Sequence, residues 1–187
     1  DVMPKDGRIA LYLGALLENL ASPAVQAATD ATGNVGIEGA GGLLKAAEPH
    51  LRAAILLDPA LAEAQLRLGR VVHLLKRSAE ALPYLARAES DLTRPELRYC
   101  AALFAGRAYE SIDRIDDARA AFERAEALFP EAQSPRLGMA QLAWRVGDQA
   151  GAAALVSGLP AQRSPIFATD PWWAYDVLLV EDVNARI

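Results

Sequence analysis

With 187 residues the chain is long enough for one domain with a sizeable core, and its 52% hydrophobic content, prominent in alanine and only 6% aromatic, suits closely packed helices rather than a sheet sandwich. A formal charge of -5 argues against nucleic-acid binding through overall charge, although a local basic surface is compatible with it. The single cysteine, Cys100, excludes an intrachain disulfide and a multi-cysteine zinc site, and no run of roughly 18 apolar residues is present to cross a membrane.

Taken in order, residues 1–7 read as a lead-in, and Arg8 to Leu20 as a helix with a broad apolar face: Ile9, Leu11, Leu13, Leu16, Leu17 and Leu20. The stretch 21–42 is an inserted loop rich in glycine (33, 36, 39, 41 and 42). It lacks the Gly-Lys-Ser/Thr of a phosphate loop, since Lys45 has no hydroxyl residue beside it, and no strand precedes it. Leu43 to Leu57 follows as a second helix. Asp58-Pro59 is a helix-start signal, an acceptor followed by a residue with no amide hydrogen to lose. A helix to Leu75, a turn at Lys76-Arg77-Ser78 and a return helix over Ala79 to Asp91 make the next pair.

From Leu97 to Pro130 the pattern is clearest. Tyr99, Ala102, Ala105, Gly106 and Tyr109 fall at helical spacing, a break comes at Ile112-Asp113-Arg114, and Ala118, Phe122 and Ala125 form the stripe of a second helix. Ser134-Pro135 opens a fourth pair with its turn at Gly147, a cap at Asp148 and a stop at Gly158-Leu159-Pro160. Thr169-Asp170-Pro171 starts a last helix containing Trp172, Trp173 and Tyr175, placed to cover the open apolar side of the final pair.

The pairs are in phase. Ala47, Leu51 and Ala54 match Ala81, Leu85 and Ala88 at an offset of 34, Pro49 and Pro83 keep the same offset, and so do Asp113 and Gly147, and Ala118 and Ala152. Gly69 to Gly106 is a step of 37, lengthened by Thr93-Arg94-Pro95, and Gly14 to Gly69 is 55, one period plus the insertion. A small residue, then Tyr109, Ala118, Phe122, Ala125 and Pro130 in this order resembles the tetratricopeptide repeat (TPR) family.

That resemblance implies an all-α right-handed solenoid in one domain, 1–187. Its hairpins would span 8–57 (with the loop 21–42), 59–91, 95–130 and 134–158, with a capping helix at 170–183. It also implies that the first helix of each pair lines a concave groove. The partner-binding residues would then be Arg67, Arg70, His73 and Leu74; Phe104, Arg107 and Glu110 beside Leu103; and Gln141, Trp144 and Arg145 beside Leu137. Tyr12, Ala15 and Asn19 would add the first helix's share. Guanidinium groups repeated along such a wall suit a carboxylate-bearing or phosphorylated segment. Some members of the family clamp a peptide's terminal carboxylate with asparagines where this chain has Arg70 and Arg107, so that clamp is not expected here.

The function expected is a non-catalytic protein-interaction scaffold that takes a peptide or partner segment, with an acidic preference. His50 and His73 stand without a nucleophile-and-acid constellation, and no metal-ligand spacing or cofactor motif is present. Asp113, Asp116 and Asp117 read as turn and helix-start carboxylates. The alternative, from another class, is a small-ligand-binding or enzymatic protein that uses the insertion 21–42 and the C-terminal tryptophans. An oligomer, or one module of a longer polypeptide, fits the same pattern. A start at Asp1 suits a mature exported form and an excised segment equally, leaving cytoplasmic and exported locations open.

Overall fold

In a computed structural model, which describes residues 6–23, 25–27, 39–159 and 170–175, the chain is helical throughout its ordered elements, with no strand among the described residues. Among the described residues, the α-helices of nine or more residues follow in order: α1 Gly7–Leu20, α2 Ala40–Leu57, α3 Ala62–Leu74, α4 Ser78–Asp91, α5 Pro95–Ser111, α6 Ile115–Leu128, α7 Gln133–Arg145 and α8 Gln149–Ser157. A 3-10 turn, Pro171–Ala174, follows them. The fold is an all-α helical-repeat solenoid.

Local chemistry sets the helix ends. Asp6 caps α1 by accepting the Arg8 N–H at 2.7 Å, Pro95 opens α5, and Asp148 caps α8 through the Gly151 N–H at 2.8 Å. Each of the last three hairpins turns on one residue with left-handed backbone: Lys76 at φ 67°, Asp113 at φ 64° and Gly147 at φ 85°. These three lie 37 and 34 positions apart, the same steps as the side-chain repeat. Glycine meets this conformation without steric cost, whereas Lys76 and Asp113 carry a Cβ into it.

The chain divides into two compact units, 1–88 and 89–187. In the first, α1 packs on α2 and α2 on α3, and Gly14 and Gly69 let paired helices close on Leu51 and Leu85. A methyl group at either glycine would stand 2.6 Å from that leucine, inside van der Waals contact. In the second unit α5 touches α6, α7 and the 3-10 turn. Burial on so many sides explains why its core residues, among them Tyr99, Cys100, Ala102, Ala105 and Ala108, exceed a single stripe. Phe122 of α6 wedges between Gly106 of α5 and Gly138 of α7, where a methyl group would stand 2.5 and 2.7 Å from its ring.

Several details differ from the sequence reading. Helix α3 begins at Ala62 and not at Pro59, because Asp58 Oδ1 accepts the Ala60 N–H at 3.0 Å and closes a turn ahead of the helix. Helix α2 begins at Ala40, so Gly41 and Gly42 lie in its first turn rather than in a loop, and Pro49 sits in mid-helix. Its ring removes one backbone hydrogen bond there. Residues 25–27 are also helical, and the Val25 N–H reaches Ser22 Oγ at 3.4 Å. Gly33 and Gly36 of the insertion, and residues 176–183 of the expected capping helix, lie outside the described residues.

Candidate functional site

Arginines at the same point of successive repeats meet different surroundings. In the first unit Arg67 and Arg70 project from α3 toward α1, where Glu18 is 1% exposed. Arg67 Nη1 donates to one Glu18 oxygen and Arg70 Nη1 to the other, both at 2.8 Å, and Arg67 Nε reaches Glu63 at 2.9 Å. Arg67 and Arg70 are therefore buried rather than laid along an open wall. Stripping water from two guanidiniums requires a carboxylate in contact, and Glu18 supplies it. His73 Nδ1 lies 2.9 Å from Ser78 Oγ, and Leu74 is exposed at the end of α3. On α1, Ala15 is core, Asn19 half-buried and Tyr12 exposed.

In the second unit Arg107 stays part-exposed. Its Nη1 donates to Gln141 Oε1 at 2.8 Å and to Glu110 at 3.1 Å, while the guanidinium stands 5.4 Å from the Phe122 ring centroid. Arg145 of α7 donates to the Glu110 carbonyl at 2.9 Å and to Asp113 Oδ1 at 2.8 Å. Glu110 itself is buried. Arg107, Glu110, Gln141 and Arg145 thus form one connected polar group across α5 and α7. Gln141 also lines an open apolar cleft of about 440 Å³ between α7 and α8, with Leu137, Ala140, Trp144, Ala152 and Val156. Trp144 is 63% exposed at this cleft.

Phe104 is buried, because the 3-10 turn lies over it. Trp172 and Tyr175 meet it edge-on with ring centroids at 5.5 and 5.2 Å. Trp172 and Tyr175 thus cover part of α5. Asp170 fixes them there: Tyr99 Oη donates to Oδ1 at 2.7 Å, and Ser134 donates to Oδ2 from its N–H at 2.9 Å and its Oγ at 2.7 Å. Burial, and then the negative charge of Asp170, push the Tyr99 phenol well above its ordinary range. Cys100 is buried, and no group of three His, Cys, Asp or Glu placed for a metal ion occurs among the described residues.

Two of these partners escape sequence reasoning to different degrees. Glu18 sits on the buried stripe Leu11, Gly14, Ala15, Glu18, and an acid on an apolar stripe signals a buried cation nearby. Asp170 reads correctly as a cap, since its Oδ1 accepts the Trp172 N–H at 3.1 Å. Nothing local announces its bonds to Tyr99 and Ser134, 71 and 36 positions away.

This is the class of helical-repeat proteins built from stacked antiparallel helix pairs. No protein-family model matches the chain, and no curated protein matches it in sequence. Among solved structures it is similar to MamA from Desulfovibrio magneticus RS-1 (residues 41 to the end), with a TM-score of 0.65 and 21% identity over 82% of this chain and 73% of that one. MamA AMB-1 gives a TM-score of 0.60 and 19% identity over 84% and 79%. At these identities the likeness is one of fold.

Proposed function

We propose that the protein is a non-catalytic interaction scaffold of the TPR type that captures a segment of another polypeptide. The observation carrying this reading is the exposed Trp144 at an apolar cleft whose rim residue, Gln141, also holds Arg107. A large aromatic beside a guanidinium network is the composition of an interaction hot spot, and the cleft is open enough for one face of an amphipathic helix. Leu137 and Val156 supply the remaining apolar contact.

An acidic preference follows from Arg145. Its present partner Asp113 is 82% exposed, so that pair contributes little and an incoming carboxylate exchanges for it at small cost. The accessible partner-binding residues in this reading are Arg107, Gln141, Trp144 and Arg145, with Leu74 and His73 as a separate surface of the first unit. Arg67, Arg70, Phe104 and Glu110 act behind them, as the groups that shape α3 and α5.

Selection from a random peptide library on the immobilised protein tests the proposal. Enriched sequences should place an acidic residue beside apolar residues at helical spacing. Trp144→Ala should weaken the best of them about tenfold or more, with Arg145→Glu acting in the same direction. No enrichment, or peptides indifferent to both substitutions, would remove the reading.

A further inference from the structure

Residues 170–175 pack on α5 and α7 through contacts separate from the α7–α8 cleft. Asp170 is 2% exposed, and its carboxylate accepts from neutral groups: the Tyr99 hydroxyl, the Ser134 hydroxyl and N–H, and its own Trp172 N–H. Two of these come from Ser134 in the first turn of α7, where the backbone dipole favours an anion. Beside the carboxylate, Phe104 offers its ring to Trp172 and Tyr175, which stack on each other with centroids 6.3 Å apart. The recognised features therefore lie within six residues: an acid, a proline that opens the turn, an aromatic two positions after the acid and another five after it.

We infer that Tyr99, Phe104 and Ser134 form a receptor for a short acidic-proline-aromatic segment, and that residues 170–175 occupy it as a built-in ligand which a partner protein's segment of the same chemistry displaces. The receptor belongs to α5 and α7, two helices packed on each other, and its donors come from the helices and not from the tail. Neutral donors recognise a carboxylate without the ion-pair network that fixes Glu18 in the first unit. A carboxylate arriving on another chain satisfies the same three donor groups, and a proline-preset turn loses little freedom on binding.

The probe is a fluorescein-labelled peptide with the sequence of residues 169–176, Thr-Asp-Pro-Trp-Trp-Ala-Tyr-Asp, titrated by anisotropy into the full chain. The Asp170→Ala/Trp172→Ala chain, which loosens its own segment, should bind the peptide at least about tenfold more tightly than the unaltered chain. Adding Ser134→Ala, or replacing the probe's first aspartate by asparagine, should abolish that gain. A doubly substituted chain with unchanged far-ultraviolet circular dichroism that binds no tighter would overturn the inference, as would equal binding of the asparagine peptide. A variant that dimerises by light scattering instead of taking up peptide also counts against it. Hydrogen exchange on the unaltered chain gives a readout that needs no variant. The Trp172 and Tyr175 amides should exchange by local opening about tenfold or more faster than those of mid-α5, and exchange of both only with global unfolding would make the segment fixed core.

Discussion

Arg70 and Arg107 stand 37 positions apart at one point of the repeat, and the two units use them in opposite ways. In the first unit Arg70 is 7% exposed and closes on Glu18. In the second, Arg107 shares itself between Glu110 and Gln141 at the edge of an open surface. The repeat register sets where a Cα goes. What the guanidinium meets is decided by the neighbouring helix, which offers an acid at Glu18 in one unit and an amide at Gln141 in the other. A repeat pattern alone therefore overstates how many of its arginines remain available to a partner.

The largest effect that would break this contrast is expected at Glu18. Glu18→Ala leaves two buried guanidiniums short of their shared carboxylate, and the first unit should lose about 3–5 kcal/mol in urea unfolding. An unchanged midpoint would mean that water reaches Arg67 and Arg70. Next comes the helix crossing of the second unit. Gly106→Leu pushes into Phe122 and should cost on the order of 1–3 kcal/mol by overpacking, read as a lowered melting temperature. The same substitution at Gly69 meets the more compliant Leu85, so comparing the two measures how rigid each crossing is.

Titration sharpens the contrast further. Tyr99 has its folded pKa raised above the unfolded value of about 10, so its contribution is complete below that pH and is lost as pH rises through and beyond it. Alkaline unfolding should be steeper in the unaltered chain than in Tyr99→Phe, and equal slopes would detach Tyr99 from Asp170. The smallest effect belongs to the surface network of the first unit. Hydrogen bonds from Arg77 and then Arg52 hold Glu80 below the ordinary carboxylate range. At Glu48, burial raises the pKa, but the same two arginines outweigh it. Both depressions give stability that is present above about pH 4.3 and fades as pH falls through the lowered values. With Glu80 40% exposed on its side chain the change is small, and Glu80→Gln should flatten the acid limb only slightly.

Much of the architecture is legible in the residues. Small side chains at Gly69, Gly106, Ala118 and Ala125 mark close helix approaches, and the breaks at Lys76, Asp113 and Gly147 mark the turns, because both follow from local backbone and packing rules. The start of α2 was not legible, since Gly41 and Gly42 argue against a helix that packing of Leu43 and Leu44 nonetheless sustains. The surface is less legible. Amphipathic spacing assigns Arg67, Arg70 and Phe104 to a face. Their burial depends on Glu18 and Trp172, contributed by segments 49 and 68 positions away in sequence.

Arg70→Ala and Arg107→Ala, unfolded side by side in urea, test the contrast most directly. Arg70→Ala should lower stability by about 1–3 kcal/mol, because buried Glu18 loses a charged donor. Arg107→Ala should stay within about 0.5 kcal/mol of the unaltered chain, as a part-exposed side chain with replaceable partners does. Equal losses at the two positions, or the larger loss at Arg107, would contradict the account.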